Sequence, residues 1–304
     1  MYRIHVTDVM DKKAVVKLIE AGFEVVEEFY EPEVLADKVK EFDALVVRSA
    51  TKVRQPIIDA ALETKRLKLV IRAGVGVDNI DVNYAMERGI EVRNTPNASS
   101  DSVAELAIAH MFALARFIHI SNVTMRDGEW NKKQYKGIEL NGKTLGLFGF
   151  GRIAKSVAIK ASALGMNVVY TDRTGPKDGY DHFEYLEKDE LLKKSDFISL
   201  HVPFSKEYGA LLGKDEFEIM KDGVYLINTA RGGVVCEKAL LEALNSGKVA
   251  AAAVDVFEEE PTKNEELINH LKVSVTPHIG ASTKEAQSRI GLEVIETITK
   301  FFNN

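Results

Sequence analysis

The feature that most constrains the fold is the alternation of short apolar runs with segments whose apolar residues recur at helical spacing. Between the runs, residues such as Ala14, Val15 and Leu18 mark one face of a helix. Runs of strand length recur along the whole chain: Ile4–Val6, Ala44–Val47, Leu67–Ile71, Leu145–Phe148, Asn167–Tyr170, Phe197–Val202, Val224–Ile227, Ala250–Val256 and Val273–Val275. Continuous apolar runs are typical of strands buried on both faces of a parallel sheet. The alternation therefore predicts an α/β fold.

The chain is long enough for two such domains. Its 304 residues correspond to two domains at roughly 150 residues each. A long helical stretch starts near Asp101, and the bend at Pro96–Asn97 just before it is the best candidate for the crossover. We expect two doubly wound, Rossmann-like domains with a cleft between them. The residues alone leave open which domain is covered by the final amphipathic helix, near Thr283–Phe302, with its stripe Ile290, Val294, Ile298 and Phe301.

Composition and charge exclude several classes of function. The chain has 40 Lys and Arg against 46 Asp and Glu, a net charge of -6, which gives no electrostatic footprint for nucleic acid or an anionic membrane. The single cysteine, Cys236, cannot form a disulfide within the chain. The N-terminus has no apolar core of signal-peptide length. We expect a cytoplasmic, soluble protein without nucleic-acid or membrane partners.

A glycine loop in the second half has the form of a dinucleotide site. Gly149–Ala154 follows a strand, precedes a helix and reads G-x-G-x-x-A, in which the first two glycines permit a tight turn and close approach of a pyrophosphate to the helix N-terminus. Asp172 ends the next strand, 23 residues after Gly149, near the ~20 expected for an acid that binds the ribose hydroxyls. Such a carboxylate repels a 2′-phosphate. The sequence therefore favours NAD over NADP, although Arg173 weakens the preference.

A second glycine loop, Gly74–Asp78, competes with the first. It follows the strand Leu67–Ile71, but the next strand ends at Asn94 and offers no acid for a ribose. As a nucleotide site it is therefore the weaker candidate. It is either a structural turn or a backbone cradle for a small anion, and the preceding Arg72 favours the cradle.

Side chains capable of acid–base chemistry follow the later strands. In a doubly wound sheet the ligand lies beyond the carboxyl ends of the strands. An arginine there can grip a carboxylate, a histidine can exchange a hydroxyl proton, and an acid can hold the imidazole in one tautomer. This set suits redox chemistry on a 2-hydroxy acid. The residues alone leave His201 and His278 as alternative bases. The acidic run around Glu260 is also typical of a solvated surface. The candidates are His201, Arg231, Asp255, Glu260 and His278.

Several motifs together are far more specific than the glycine loop alone. They are Arg48–Lys52, Arg72–Asn79, Asn94–Asn97, Glu139–Gly146, Asn228–Gly233 and Pro277–Gln287. On these motifs the chain resembles the D-isomer-specific 2-hydroxyacid dehydrogenases over nearly its whole length, and within them the branch that acts on D-3-phosphoglycerate. The resemblance implies a substrate domain of residues 1–97 completed by the helix 283–304, an NAD-binding domain of residues 98–282, and a homodimer joined through the NAD-binding domains.

The resemblance also implies roles for individual residues. Arg231 is the catalytic arginine, His278 the acid/base and Glu260 the acid that orients it, with Asp255 facing the nicotinamide amide. NAD is the expected cofactor, with no metal. The positions expected to bind it are Gly149, Phe150, Gly151, Arg152, Ile153, Asp172, His201, Val202, Pro203, Thr229, Ala230, Arg231, Asp255, His278 and Gly280. The positions expected to bind substrate are Arg48, Lys52, Arg72, Gly74, Val75, Arg231 and His278.

Basic residues make a phosphorylated 2-hydroxy acid the expected substrate. Arg48, Lys52 and Arg72 are suited to a phosphate by charge-assisted hydrogen bonds, and Lys132 and Lys133 could reach it from a partner subunit. The same chemistry on glyoxylate, hydroxypyruvate or D-lactate remains the main alternative. A dinucleotide-sensing scaffold is a more distant one, and the acid at Glu260 disfavours a formate-type dehydrogenase.

Two departures from the family pattern have consequences. The family usually has an acid where Cys236 stands, and loss of that helix cap is expected to cost about 0.5–2 kcal/mol. The sequence ends at Asn304, right after the final helix, whereas many relatives continue into a regulatory domain. We therefore expect no serine feedback through such a domain.

Overall fold

The computed structural model describes residues 1–303, and the chain divides into two compact units. The first comprises Met1–Ser99 together with the segment from Ala281 onward, and the second comprises Ser100–Gly280. The sequence placed these divisions at residues 97 and 283. Each unit is built on its own parallel sheet with helices packed against it, which confirms the expected α/β class.

The first unit has a five-stranded parallel sheet in the order β2-β1-β3-β4-β5. Its strands are β1 (Arg3–Val6), β2 (Glu24–Glu27), β3 (Ala44–Val47), β4 (Leu69–Arg72) and β5 (Glu91–Asn94). The helices between them are α1 (Lys12–Glu20), α2 (Pro32–Lys38), α3 (Gln55–Leu62) and α4 (Val82–Met86), with a 3-10 turn at Val39–Glu41. The four residues of β3 are fully buried, as the continuous apolar run indicates for a central strand.

The second unit has a seven-stranded parallel sheet in the order β12-β11-β10-β9-β6-β7-β8. Its strands are β6 (Thr144–Phe148), β7 (Asn167–Thr171), β8 (Glu184–Tyr185), β9 (Phe197–Leu200), β10 (Val224–Asn228), β11 (Val249–Val254) and β12 (Val273–Val275). Its helices are α5 (Ser100–Ala115), α6 (Ile118–Arg126), α7 (Arg152–Ala163), α8 (Lys188–Lys194), α9 (Lys214–Ile219), α10 (Glu237–Ser246) and α11 (Glu265–Ile268). The chain reverses direction across the sheet between β6 and β9, and this switch point is where doubly wound sheets bind ligands.

The final helix, α12 (Lys284–Asn303), packs on the first unit. Ile290, Val294 and Ile298 of its apolar stripe are buried in one cluster with residues of β1 and α1. Gly291 lies against Ala14, where an added Cβ would fall 2.5 Å from the alanine Cβ. The glycine therefore lets α12 and α1 approach closely.

The long helical stretch expected from Asp101 is two helices rather than one. Phe117 separates α5 from α6 with a left-handed backbone (φ 55°). The Ala115 carbonyl, which would accept a helical bond if α5 continued, instead accepts the amide of Ile138 at 3.0 Å. Among residues 1–303 no single helix is long and apolar enough to cross a membrane; α5 and α6 together meet the length and composition criteria but are bent by 64°.

Candidate active site

The candidate residues of the second unit lie along one edge of its sheet. Each follows the carboxyl end of a strand, and in a parallel sheet these ends share an edge. Asp172 follows β7 and Arg231 follows β10, with two strands between them. Three strand spacings of about 4.8 Å separate the two by about 14 Å, as an extended dinucleotide requires. In sheet order the edge carries His278 (after β12), Asp255 (β11), Thr229–Arg231 (β10), His201 (β9), Gly149 (β6) and Asp172 (β7).

The glycine loop after β6 is open where a pyrophosphate would lie. Gly149 has φ 78°, and an added Cβ would fall 2.7 Å from the His201 carbonyl oxygen, so this position requires glycine. At Gly151 an added Cβ meets no atom within 4 Å. Gly151 is the N-cap of α7, and no side chain caps that helix. The loop therefore fits the phosphates of a dinucleotide.

Asp172 is held as an anion beside this loop. Its Oδ2 accepts the Phe150 amide at 2.8 Å, and its Oδ1 accepts Lys177 Nζ at 2.7 Å and the Thr174 amide at 3.0 Å. Burial alone would raise the pKa of Asp172, but the hydrogen bonds from Lys177, Phe150 and Thr174 hold it far below its ordinary value. The sequence reasoning found the acid but not Lys177, because a lysine five residues on carries no local signal.

His278 and Glu260 form a hydrogen-bonded pair. His278 Nδ1 lies 2.7 Å from Glu260 Oε2, and each side chain is 36% exposed, so the other imidazole nitrogen can reach a substrate. Glu260 Oε1 accepts the Phe257 amide at 3.2 Å. Burial would raise the pKa of Glu260, but the hydrogen bond and charge of His278, the Phe257 amide and the charge of Arg231 together lower it. Glu260 is thus a structured carboxylate rather than part of a merely solvated run.

Asp255 holds the loop that carries His278. The Asp255 side chain is buried, its Oδ1 accepts Thr276 Oγ1 at 2.6 Å and the Ile279 amide at 2.9 Å, and its Oδ2 accepts the Gly280 amide at 3.0 Å. The His278 amide donates to the Asp255 carbonyl at 2.8 Å, with His278 in the left-handed region (φ 52°). This carboxylate therefore fixes the backbone on both sides of the histidine, a role the sequence reasoning missed. Contact with a nicotinamide amide stays a prediction.

The loop after β10 presents Arg231. The Asn228 side chain accepts the Ala230 amide at 3.1 Å and donates to the Arg231 carbonyl at 3.1 Å, and Arg231 Nη1 donates to the Ala230 carbonyl at 2.6 Å. At Gly232 an added Cβ would fall 1.7 Å from the Phe257 carbonyl oxygen, so only glycine permits this approach. Thr229 Oγ1 is buried and has no hydrogen-bond partner among the described residues 1–303, as expected for a group that meets a cofactor.

His201 does not fit the role of acid/base. Burial lowers its pKa to about 3, so the imidazole is neutral across the physiological range. Its Nε2 lies 3.0 Å from Ser199 Oγ, and its buried Nδ1 has no partner in the part of the chain that the structure describes. Of the two histidines that the residues left open, His278 is the one with an acidic partner and exposure.

The other predicted cofactor positions differ in what they can offer. The Phe150 ring is buried and stacks on Tyr170 at a centroid distance of 3.9 Å, and its amide is bound to Asp172, so its side chain is a core residue. Gly280 is buried in the loop that Asp255 holds. The remaining predicted positions lie at the same edge: Arg152 and Ile153 in the first turn of α7, Val202 and Pro203 after β9, and Ala230 after β10.

The first unit presents its own basic edge. Val47, the last residue of β3, pairs with Arg72, the last residue of β4, so Arg48 follows β3 at the level where Arg72 ends the neighbouring strand. The Arg48 amide donates to Asp8 Oδ2 at 2.5 Å, and Asn79 Nδ2 donates to the Arg48 carbonyl at 2.6 Å. Asp8 and Asn79 thus hold the loop that carries Arg48, which the sequence reasoning had not identified.

The arginine side chains of this edge donate to backbone carbonyls within the first unit. Arg48 Nη1 donates to the Val9 carbonyl at 3.3 Å, and Arg72 Nη1 donates to the Ala73 carbonyl at 3.2 Å. At Gly74 an added Cβ would fall 1.3 Å from Arg72 Nη1. Lys52 is exposed. Substrate binding by Arg48, Lys52, Arg72, Gly74 and Val75 stays a prediction.

The helix cap at Cys236 is replaced by a different contact. Cys236 is the N-cap of α10 and makes no side-chain cap. Instead, Glu258 Oε1 accepts the Glu237 amide at 3.0 Å, and Glu237 Oε1 accepts the Glu258 amide at 2.9 Å. This reciprocal pair satisfies one amide at the start of α10, so the expected cost of the cysteine is partly offset.

Comparisons with known proteins agree with this geometry. The family described as "D-isomer specific 2-hydroxyacid dehydrogenase, NAD binding domain" matches residues 108–280. The chain is 49% identical over 303 residues to the hydroxypyruvate reductase of Thermotoga maritima, covering 98% of both. It is 46% identical over 303 residues to the D-3-phosphoglycerate dehydrogenase of Methanocaldococcus jannaschii, covering 99% of this chain and 57% of that protein's length.

A solved structure extends the similarity to the whole fold. The crystal structure of D-lactate dehydrogenase from Aquifex aeolicus, complexed with NAD and lactic acid, matches with a TM-score of 0.85 at 31% identity, covering 98% of this chain and 95% of that one. The identity to the curated relatives extends over nearly the whole chain, and the matched family segment contains the glycine loop and the Glu260–His278 pair. The chain therefore belongs to the NAD-dependent, D-isomer-specific 2-hydroxyacid dehydrogenases.

Proposed function

We propose that this dehydrogenase oxidises D-3-phosphoglycerate to 3-phosphohydroxypyruvate, the entry to phosphorylated serine biosynthesis. The observation that carries the chemistry is the 2.7 Å contact of His278 Nδ1 with Glu260 Oε2, beside a strand end that presents Arg231. When bound, NAD accepts the hydride from C2 of the substrate. The phosphorylated substrate is supported by the basic edge of the first unit and by the M. jannaschii relative.

Each residue of the proposed site has a distinct role in the reaction. The free imidazole nitrogen of His278 takes the proton of the C2 hydroxyl during oxidation and returns it to the carbonyl oxygen during reduction. Glu260 holds the opposite nitrogen and stabilises the protonated ring, since its lowered pKa keeps it anionic. Arg231 binds the substrate carboxylate and polarises the reacting oxygen. Arg48 binds the phosphate, with Lys52 and Arg72 as further cationic groups.

Hydroxypyruvate reduction is the second candidate. The T. maritima relative is slightly more similar to this chain than the M. jannaschii one, at 49% against 46% identity. The hydrogen bonds of Arg48 to Val9 and of Arg72 to Ala73 also occupy guanidinium donors that a phosphate would need. Hydroxypyruvate has the same reacting group without the phosphate, so Arg231, Glu260 and His278 would serve it equally.

Steady-state reduction separates the two candidates. NADH oxidation is followed with 3-phosphohydroxypyruvate, hydroxypyruvate, glyoxylate and pyruvate. The proposal expects kcat/KM for the phosphorylated acid to exceed that of hydroxypyruvate by about tenfold or more, as one additional charge-assisted contact provides. A preference for hydroxypyruvate or glyoxylate would favour the second candidate, and failure to turn over any of them while NADH binds would favour a dinucleotide-sensing scaffold.

We also propose a cytoplasmic homodimer joined through the second unit. Ile118, Val123, Met125 and Trp130 expose apolar surface on α6 and the segment after it, which supports a partner there. In such a dimer Lys132 and Lys133 could reach the partner's substrate. Sedimentation at micromolar concentration tests the assembly. An unchanged KM for the phosphorylated acid in a Lys132→Ala, Lys133→Ala variant would remove the two lysines from the proposal.

A further inference from the structure

The ribose-binding acid has few acceptor sites left for a ribose. Each carboxylate oxygen offers two lone-pair sites. Asp172 Oδ1 already accepts Lys177 Nζ at 2.7 Å, the Thr174 amide at 3.0 Å and Thr174 Oγ1 at 2.8 Å, whereas Oδ2 accepts only the Phe150 amide. An acid that binds both ribose hydroxyls needs two free sites. Oδ2 has one free site and Oδ1 has none, so both side-chain donors, Lys177 Nζ and Thr174 Oγ1, must leave Oδ1 when the ribose binds. Of the two, only the lysine lies on a long flexible side chain.

The backbone and the side chain of Lys177 are both held in place beside Asp172. Its amide donates to the Tyr170 hydroxyl at 2.8 Å, and the Tyr170 ring is fully buried against Phe150. The Lys177 ammonium also contacts Thr174 Oγ1, and only 25% of its side chain is exposed, against 17% for Asp172. The cation is thus fixed by its backbone beside the carboxylate rather than attracted from a distant surface loop.

We propose that Lys177 sets the cofactor selectivity of this enzyme, so that it accepts a dinucleotide with a 2′-phosphate as well as NAD. The inference rests on the proposed role of Asp172 as the ribose-binding acid. An unpaired carboxylate repels a 2′-phosphate, but Lys177 compensates the charge of Asp172 and, once displaced from Oδ1, bonds to the phosphate. The exposed Arg173 adds a second cation next to the same position.

Binding measurements test this without relying on turnover. The Kd values of NADH and NADPH are measured by fluorescence titration for the unmodified chain, for Lys177→Met and Lys177→Gln, and for a matched control, Lys188→Met. Lys188 also forms an ion pair in the second unit, but its partner is Glu216, at 2.6 Å, rather than Asp172. Urea unfolding of each variant establishes that it is folded.

The proposal expects the ratio of the NADPH Kd to the NADH Kd to rise about tenfold or more in both Lys177 variants, chiefly through weaker NADPH binding. Lys188→Met should leave the ratio unchanged, and Asp172→Asn should lower it. A ratio that stays within about twofold in Lys177→Met, with NADH still bound, would overturn the role of Lys177 alone. Failure of the unmodified chain to bind NADH would instead overturn the proposed function, and this inference with it.

Discussion

The two glycine loops of this chain each follow a strand of a parallel sheet, Gly149 after β6 and Gly74 after β4, yet they differ in the space they leave. At Gly151, in the second unit, an added Cβ meets nothing within 4 Å, and the N-terminus of α7 behind it has no side-chain cap. At Gly74, in the first unit, the same construction falls 1.3 Å from Arg72 Nη1. One loop is open to a ligand, whereas the other is occupied by the arginine that precedes it.

A similar difference extends along the two sheet edges. In the second unit, His201 Nδ1 and Thr229 Oγ1 are buried without partners among residues 1–303, and the His278–Glu260 and Lys177–Asp172 pairs lie along the edge. In the first unit, Asp8 and Asn79 tie the Arg48 loop to its surroundings. A doubly wound sheet thus supplies an edge, and the open glycine loop, with an acid at the end of the next strand, distinguishes the unit that binds the dinucleotide.

The largest expected effect comes from removing the acid/base at the second edge. In His278→Ala, kcat should fall about 10²- to 10⁴-fold, the usual contribution of a positioned proton donor, while the NADH Kd stays unchanged. His270→Ala is the control, since His270 precedes β12 at the opposite end of the strand. Full turnover in His278→Ala would exclude the histidine, and joint loss of turnover and NADH binding would indicate misfolding.

Removing a cation from the carboxyl edge of the first unit's sheet should change KM for the phosphorylated substrate rather than kcat. In Arg48→Ala we expect KM for 3-phosphohydroxypyruvate to rise about tenfold or more, because a charge-assisted contact is lost, with kcat for hydroxypyruvate little changed. Arg66→Ala is the matched control, because Arg66 pairs with Asp43 before β4, away from the edge. Equal losses with both substrates would contradict a phosphate role for Arg48.

The pH dependence of stability in Glu260→Gln tests the ionised pair at the edge of the second unit's sheet. The lowered pKa of Glu260 means that its carboxylate adds stability which is fully present above its ordinary value near 4.5 and is lost as pH falls through the lowered value. The variant should therefore be less stable to urea at pH 7, with the difference shrinking below about pH 4.5. We also expect kcat to fall at least about tenfold, because the imidazole of His278 loses the carboxylate that orients it. An unchanged kcat, or a stability difference that does not depend on pH, would contradict the pairing.

The smallest effect concerns a loop at the second edge that has no expected part in the chemistry. Cys236→Ser should add about 0.5–1 kcal/mol to the free energy of unfolding, since serine caps α10 where Glu258 satisfies only the Glu237 amide. Urea denaturation measures the gain, and kcat should not change. A loss of stability would show that the packing of the Cys236 thiol contributes more to the free energy of unfolding than the hydrogen bond of a serine cap.

Much of the fold follows from the sequence because buried parallel strands leave continuous apolar runs. The strands of both sheet centres were identifiable in this way, whereas β8, a two-residue strand at Glu184–Tyr185, left no such run. The break at Phe117 was also missed. It depends on the Ile138 amide binding the Ala115 carbonyl, a contact between segments that no local periodicity records.

The candidate site divides in the same way. Gly149, Asp172, Arg231 and His278 follow strand ends and are accessible to sequence reasoning. Lys177, Asp8, Asn79 and the bonds of Asp255 to the His278 loop are not, because each acts through a contact set by the folded backbone. The choice between His201 and His278 likewise required the burial of the first ring and the carboxylate beside the second.

The comparison of the two glycine loops is tested most directly by titrating NADH into Gly151→Val and Gly74→Ala side by side. For Gly151→Val, we predict an NADH Kd raised about tenfold or more, because the side chain enters the open space at an ordinary φ of -77°. The stability loss should be no more than about 1 kcal/mol, from the poorer N-cap. For Gly74→Ala, we predict an unchanged Kd and a stability loss of about 1–3 kcal/mol, from displaced Arg72 and a strained φ of 156°. Normal NADH binding in Gly151→Val, together with weakened binding in Gly74→Ala, would contradict the comparison.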